Sequence, residues 1–175
     1  MSEPKLHDLR VLRARVPDVK LAQRAFTTMA EVFEEDTSHE LPLEHVERLL
    51  AREDFWALVA LVGDEVVGGL TAHVLPMTRD ASSELFVFDL AVRRDHHRRG
   101  IGRALMRHAL DAAREAGLSA MFVPVDDEDI EAREFYRVQI GSCPSARPDE
   151  ASLSSSPSPT TFTTTITSTS TARGR

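Results

Sequence analysis

A chain of 175 residues with 42% hydrophobic content can bury one core, and its length favours a single domain. The formal net charge is −7; residues 138–175 hold three arginines against two acids, so residues 1–137 carry −8. Such an acidic body argues against a nucleic-acid partner and mildly favours a cationic one. The single cysteine, Cys143, excludes an intrachain disulfide and a thiolate zinc cluster. The seven histidines form no spaced ligand set, so no metal is expected, and adjacent His96 and His97 read as a solvated turn. The first residues, Met-Ser-Glu-Pro-Lys-Leu-His, lack the apolar stretch of a leader peptide. No run approaches the roughly 18 apolar residues of a membrane span, so we expect a soluble, cytoplasmic protein with no membrane partner.

In chain order, Leu9–Ala14 mixes apolar and basic residues and predicts a short first strand ending before Pro17. Pro17 and Asp18 then open a helix with Leu21, Ala22, Ala25, Phe26, Met29, Ala30 and Phe33 at helical spacing, one face in the core. The acidic run Glu34-Glu35-Asp36 separates it from a second helix, which starts at Pro42 and carries Leu43, Val46, Leu49 and Leu50 on one stripe. Phe55–Val62 is an unbroken apolar run, Gly63-Asp64-Glu65 a turn, and Val66–Leu75 a second strand, which together predict a hairpin. After a polar loop, Glu84–Val92 adds a third strand to the meander.

The stretch that follows carries the strongest functional signal. His96-His97-Arg98-Arg99-Gly100-Ile101-Gly102 is a basic glycine turn between that strand and a helix running to Gly117, with Ile101, Leu105, Ala109, Ala112 and Ala116 as its predicted buried stripe. Two close glycines let a ligand approach the backbone, and the helix directs unpaired N–H groups and the positive end of its dipole at the turn. Arg98, Arg99 and Arg103 add positive charge, so the turn suits a phosphate-bearing ligand. A dinucleotide fingerprint needs a third glycine where Leu105 stands, and a Walker loop needs Gly-Lys-Ser/Thr, so neither motif is present. Beyond the helix, Ala120–Val125 reads as a buried strand, Asp126-Asp127-Glu128-Asp129 as an acidic loop, and Glu131–Arg137 as a short helix.

Leu90-Ala91-Val92 followed by Arg98-Arg99-Gly100-Ile101-Gly102 resembles the acetyl-coenzyme A loop of the GNAT superfamily of N-acetyltransferases, with His97 in the place usually held by Arg or Gln. Asp129, Ala132 and Phe135-Tyr136 are similar to the superfamily's Asn-x-x-Ala-x-x-Phe/Leu-Tyr, with Asp129 for Asn. More narrowly, residues 20–137 resemble type I aminoglycoside 3-N-acetyltransferases, through Phe55–Val59, Val67-Gly68-Gly69-Leu70, Val74-Leu75-Pro76, Ser83-Glu84 and Asp89-Leu90-Ala91-Val92. The resemblance implies an α/β fold, a GNAT-type mixed central β-sheet flanked by helices. It implies acetyl-coenzyme A as co-substrate, a small cationic amine as acceptor, and a homodimer as an option.

The match stops after Arg137, where the superfamily would continue with two more strands. Residues 138–175 are instead rich in Ser, Thr and Pro, and read as linker or as an out-of-frame end to an acetyltransferase domain spanning 1–137. Thr160–Thr171 has the β-branched composition of one substitute strand, but the linker reading is preferred, which would leave Ala120–Val125 as an exposed apolar edge.

Acetyl transfer to an amine needs an aligned thioester, a group to take the amine proton and an acid near the leaving sulfur. The resemblance implies that Leu90, Ala91, Val92, Arg98, Arg99, Gly100, Ile101, Gly102 and Arg103 bind the cofactor, and that Tyr136 protonates the thiolate. Glu84, Asp89 and Asp129 are candidate bases. Glu34, Glu35, Asp36, Asp126 and Asp127 are candidates to attract a multiply charged amine. The reading is an acetyltransferase for the 3-amino group of aminoglycosides such as gentamicin, conferring resistance. The alternatives are another small-amine acetyltransferase, for a polyamine or an amino-acid-like compound, and an inactive coenzyme A-binding module.

Overall fold

β2 (Phe55–Val62) is the strand on which the two cores meet, because all eight of its residues are buried. Its side chains alternate, as a strand's two-residue period requires. Trp56, Leu58, Ala60 and Val62 enter one apolar cluster, while Phe55, Ala57, Val59 and Leu61 enter another on the opposite face. The computed structural model describes residues 8–126 and 163–169, with side chains over 8–123.

Among the described residues six strands form one sheet in the order β1-β2-β3-β4-β5-β6. β1 (Leu9–Arg13), β2, β3 (Glu65–Pro76) and β4 (Ser83–Val92) pair antiparallel, as the predicted meander requires. β5 (Ala120–Asp126) lies parallel to β4, and β6 (Thr163–Thr169) lies parallel to β5. The mixed, helix-flanked sheet is the expected architecture. Thr163–Thr169 pairs along β5 from Ala120 to Asp126, so β5 lies between β4 and β6.

α1 (Val19–Val32) and α2 (Leu43–Leu50) cover one face through Ala22, Ala25, Val46 and Leu50. α3 (Ile101–Glu115) covers the other. Its buried stripe is Ile101, Leu105, Met106, Ala109 and Ala113, so Met106 and Ala113 replace the expected Ala112 and Ala116. Ala116 is the cap residue itself, turned out of the core. Gly117 beyond it has φ +71°, and the chain closes with Gly117 N–H donating to the Arg114 carbonyl and Leu118 N–H to that of Ala113, both at 3.0 Å. This is the paired arrangement by which a left-handed residue ends a helix, and Leu118 is drawn into the α3 core by it. Each fully buried Leu or Ile on these faces, such as Leu58, Leu70 and Ile101, contributes about 1.5–3 kcal/mol of burial.

β4 contains one irregularity that positions the site. Thr71 pairs with Asp89 but Ala72 with Val87, so Phe88 is an extra residue, a β-bulge. Leu85 and Val87 before it, and Leu90 and Val92 after it, all pack on the α3 core.

Among the described residues, no helix is long and apolar enough to cross a membrane, and no cluster of three or more metal-ligating side chains occurs. Tyr136, Asp127, Asp129 and the helix expected over Glu131–Arg137 lie outside the described residues. Asp126 is described in its backbone alone.

Candidate active site

Two features adjoin at β4. The first is the turn after the strand. β4 pairs with β5 only from Glu84 to Phe86, while its opposite edge stays paired to β3 as far as Val92. Between Val87 and Val92 the β5-facing edge is therefore free of strand partners among the described residues, and the two strands open at that end. A single helical turn, Arg94–His96, follows, then Arg98 at φ +60° and Gly100 at φ +77°, where α3 begins. No side chain caps α3, and its first intrahelical bond runs from Ala104 N–H to the Gly100 carbonyl at 3.0 Å. The amides of Ile101, Gly102 and Arg103 have no helical acceptor ahead of them, so they face the turn as donors. A Cβ at Gly100 would have nothing within 4 Å, which leaves the open approach that a diphosphate requires.

His97 does not merely substitute for the expected Arg or Gln. Its Nε2 lies 2.8 Å from the Val92 carbonyl, and since a carbonyl only accepts, Nε2 donates. The ring thus ties the turn to the strand end. His96 departs from the solvated-turn expectation: it is 5% exposed, with Nδ1 buried and unpartnered, because the helical turn folds its ring inward while His97 stays outside. Arg98 is exposed and Arg99 half-buried at the turn, whereas Arg103 lies with Arg107 and His108 along a groove between α3 and β1.

The second feature is a cavity of about 510 Å³ between α1, the loop after it and the sheet. Glu35, Asp36, Glu40 and Asp89 bring four carboxylates to its lining, and Phe26, Phe33, Phe55, His73 and Phe88 supply aromatic surface. Phe33, predicted to be core, is 45% exposed at this cavity, because the helix has ended before it. Thr71 Oγ1 donates to Asp89 Oδ2 at 3.1 Å, fixing one oxygen of that carboxylate. Asp36 accepts from the Ser38 backbone N–H at 2.9 Å, and the Ser38 hydroxyl and amide hold its carboxyl below the usual range.

Of the sequence candidates, Glu35, Asp36 and Asp89 meet in the cavity. Glu34 turns away, with φ +59°, and pairs with Arg94 at 2.7 Å. Glu84 sits at the closed end of β4, opposite Leu75 and Ala120, and is not in the lining. His39, Glu40, Thr71 and His73 were not singled out by sequence reasoning. A readable signal existed for two of them: Thr71 and His73 alternate with apolar Leu70, Ala72 and Val74, which places two polar residues on one face of a buried strand.

Residues 20–141 match the family model described as Acetyltransferase (GNAT) family. Among solved structures, the chain is similar to an aminoglycoside acetyltransferase, meta-AAC0020, from an uncultured soil metagenomic sample. In complex with trehalose that protein aligns with a TM-score of 0.73 and 28% identity over 86% of this chain and 97% of its own. In complex with sisomicin it aligns with a TM-score of 0.73 and 27% identity over the same shares. A second aminoglycoside acetyltransferase from an uncultured soil sample, HMB0005, aligns with a TM-score of 0.70 and 29% identity over 83% of this chain and 99% of its own. No curated protein matches the chain in sequence. With the glycine turn, the opened strand pair and a family match over residues 20–141, the chain belongs to the GNAT acetyltransferase family.

Proposed function

We propose that this acetyltransferase acts on an aminoglycoside, at the 3-amino group of the 2-deoxystreptamine ring of drugs such as gentamicin, by direct transfer from acetyl-coenzyme A, and that it confers resistance. The observation that carries this reading is the cavity in which Glu35, Asp36 and Glu40 converge with Asp89, a residue of the strand that leads into the cofactor turn. Several carboxylates around one space attract a multiply charged amine more than a monovalent one. The similarity to meta-AAC0020, whose structure contains sisomicin, supports the same class.

The open Gly100 and the helix-start amides fit the diphosphate of coenzyme A, with Arg98 and Arg99 adding charge; Arg103 belongs to the same turn. The edge of Leu90-Ala91-Val92, without a strand partner on the β5 side among the described residues, offers backbone groups to the pantetheine arm. Acetyl-coenzyme A, when bound, supplies the acetyl group as a thioester. Asp89 is the proposed base: Thr71 occupies Oδ2, leaving Oδ1 to take the amine proton directly or through a water. Tyr136 is the proposed acid for the leaving thiolate, and Asp126, Asp127 and Asp129 add acidic charge in the segment that leads to it.

Thiol release from acetyl-coenzyme A with gentamicin, and with spermidine in parallel, tests the reading. Release with gentamicin and mass-spectrometric or NMR assignment of the product to the 3-amino position is the expected result. Release with spermidine alone would replace the aminoglycoside with a linear polyamine, and coenzyme A binding without any turnover would leave an inactive binding module.

A further inference from the structure

Phe88 is 62% exposed, the highest value among the large exposed hydrophobic residues described, and it is the residue that breaks the β3–β4 ladder. A phenyl ring left in water forgoes burial, and here the backbone departs from regular pairing to present it. The ring is not isolated. It stands edge-on to His73 at 6.1 Å, His73 is tilted against Phe55 at 5.3 Å, and Phe55 meets Phe26 edge-on at 6.3 Å. These four rings come from α1, β2, β3 and β4, and all of them line the carboxylate-bearing cavity.

We propose that Phe88, braced by His73 and Phe55, is a specificity-determining platform that selects ring-shaped polyamines over linear ones; the inference rests on the aminoglycoside reading above. A sugar or aminocyclitol ring has a face of polarised C–H groups, which the negative face of an aromatic ring attracts. The carboxylates of Asp36 and Asp89 hold the ammonium groups whatever the skeleton that carries them. Only a cyclic skeleton also presents a flat face to Phe88. Charge thus admits any polyamine, and the platform adds affinity for the cyclic ones.

The test compares the full-length wild type with Phe88→Ala and Phe88→Trp. Thiol release gives kcat and KM for sisomicin, and spermidine is run as a competitor to give its inhibition constant. We expect Phe88→Ala to raise KM for sisomicin about tenfold with kcat changed by less than about threefold, and Phe88→Trp to stay near wild type. Spermidine should inhibit Phe88→Ala and wild type equally, or neither. An unchanged KM for sisomicin in Phe88→Ala, or an equal loss for spermidine, overturns the platform while leaving the aminoglycoside reading intact. A wild type that releases no thiol with sisomicin overturns both. Because the ring is exposed, all three proteins should melt alike, and a lowered melting temperature in Phe88→Ala with an unchanged KM would assign Phe88 a structural role instead.

Discussion

The hydroxyl of Thr71 lies 3.1 Å from Oδ2 of Asp89, across the β3–β4 pair, and so engages one oxygen of a carboxylate that lines the cavity. If Asp89 takes the amine proton, Asp89→Asn should lower kcat by about 10²- to 10⁴-fold, the usual contribution of a positioned general base. Thr71→Val removes only the orienting bond and should cost far less, about three- to tenfold in kcat. Steady-state thiol release with coenzyme A binding as a control measures both; equal losses would make orientation, not proton transfer, the role of Asp89.

Gly100 provides a separate test of the cofactor turn. Its φ of +77° is disfavoured for a residue bearing a Cβ, so Gly100→Ala should destabilise the fold by about 1–2 kcal/mol in urea unfolding. Nothing within 4 Å would resist the added methyl in the free protein. A loss of coenzyme A affinity well beyond that of an equally destabilised variant elsewhere would therefore report on the bound diphosphate. Calorimetric titration with coenzyme A is the measurement.

Asp36 has its carboxyl held below the usual range, first by the Ser38 hydroxyl and then by the Ser38 amide. For a carboxylate lowered in this way, the stabilisation is fully present above the ordinary value of 3.8 and is lost as pH falls through the lowered one. Asp36 therefore stays ionised from neutral pH down to about pH 5. Asp36→Asn should weaken sisomicin binding by about threefold, and by the same factor at about pH 7.5 and pH 5. A factor that shrinks between those two values would mean that Asp36 is already being protonated.

Gly68 is constrained by a neighbouring backbone rather than by dihedral angle. A Cβ there would stand 2.5 Å from the Ala91 carbonyl oxygen, and a carbonyl held in the sheet cannot step aside. Gly68→Ala should cost about 1–3 kcal/mol of stability, the usual range for overpacking. It should also perturb the strand end that leads to the cofactor turn. Gly63→Ala, at an open hairpin turn with φ +61°, should leave that strand end unaffected. Urea unfolding and coenzyme A titration together separate stability from site geometry.

Much of this architecture could be read from the residues because the relevant signals are local. The apolar run of β2, the three- and four-residue spacing in α1 and the glycine turn before α3 all fall where their patterns place them. The candidate site was only partly legible. Glu35, Asp36 and Asp89 converge because a loop after α1 folds over the bulged part of β4, a long-range relation that no local pattern encodes. Glu34 looked equivalent to its neighbours in sequence, yet its positive φ and its pairing with Arg94 direct it elsewhere. His96 is a similar case: beside an exposed His97, only the direction of one helical turn decides which ring is buried. For β6 the residues gave two opposed signals, a β-branched run over Thr160–Thr171 and a Ser/Thr/Pro-rich setting that reads as linker.

The bulge at Phe88 also makes β4 tolerant of losing one residue there. Asp89 already pairs with Thr71 and Val87 with Ala72, so excising Phe88 would keep both pairs and join them by regular alternation. Leu85, Val87, Leu90 and Val92 would all stay against α3. A single-codon deletion at 88 would thus strip off the exposed ring while the strand keeps its sidedness.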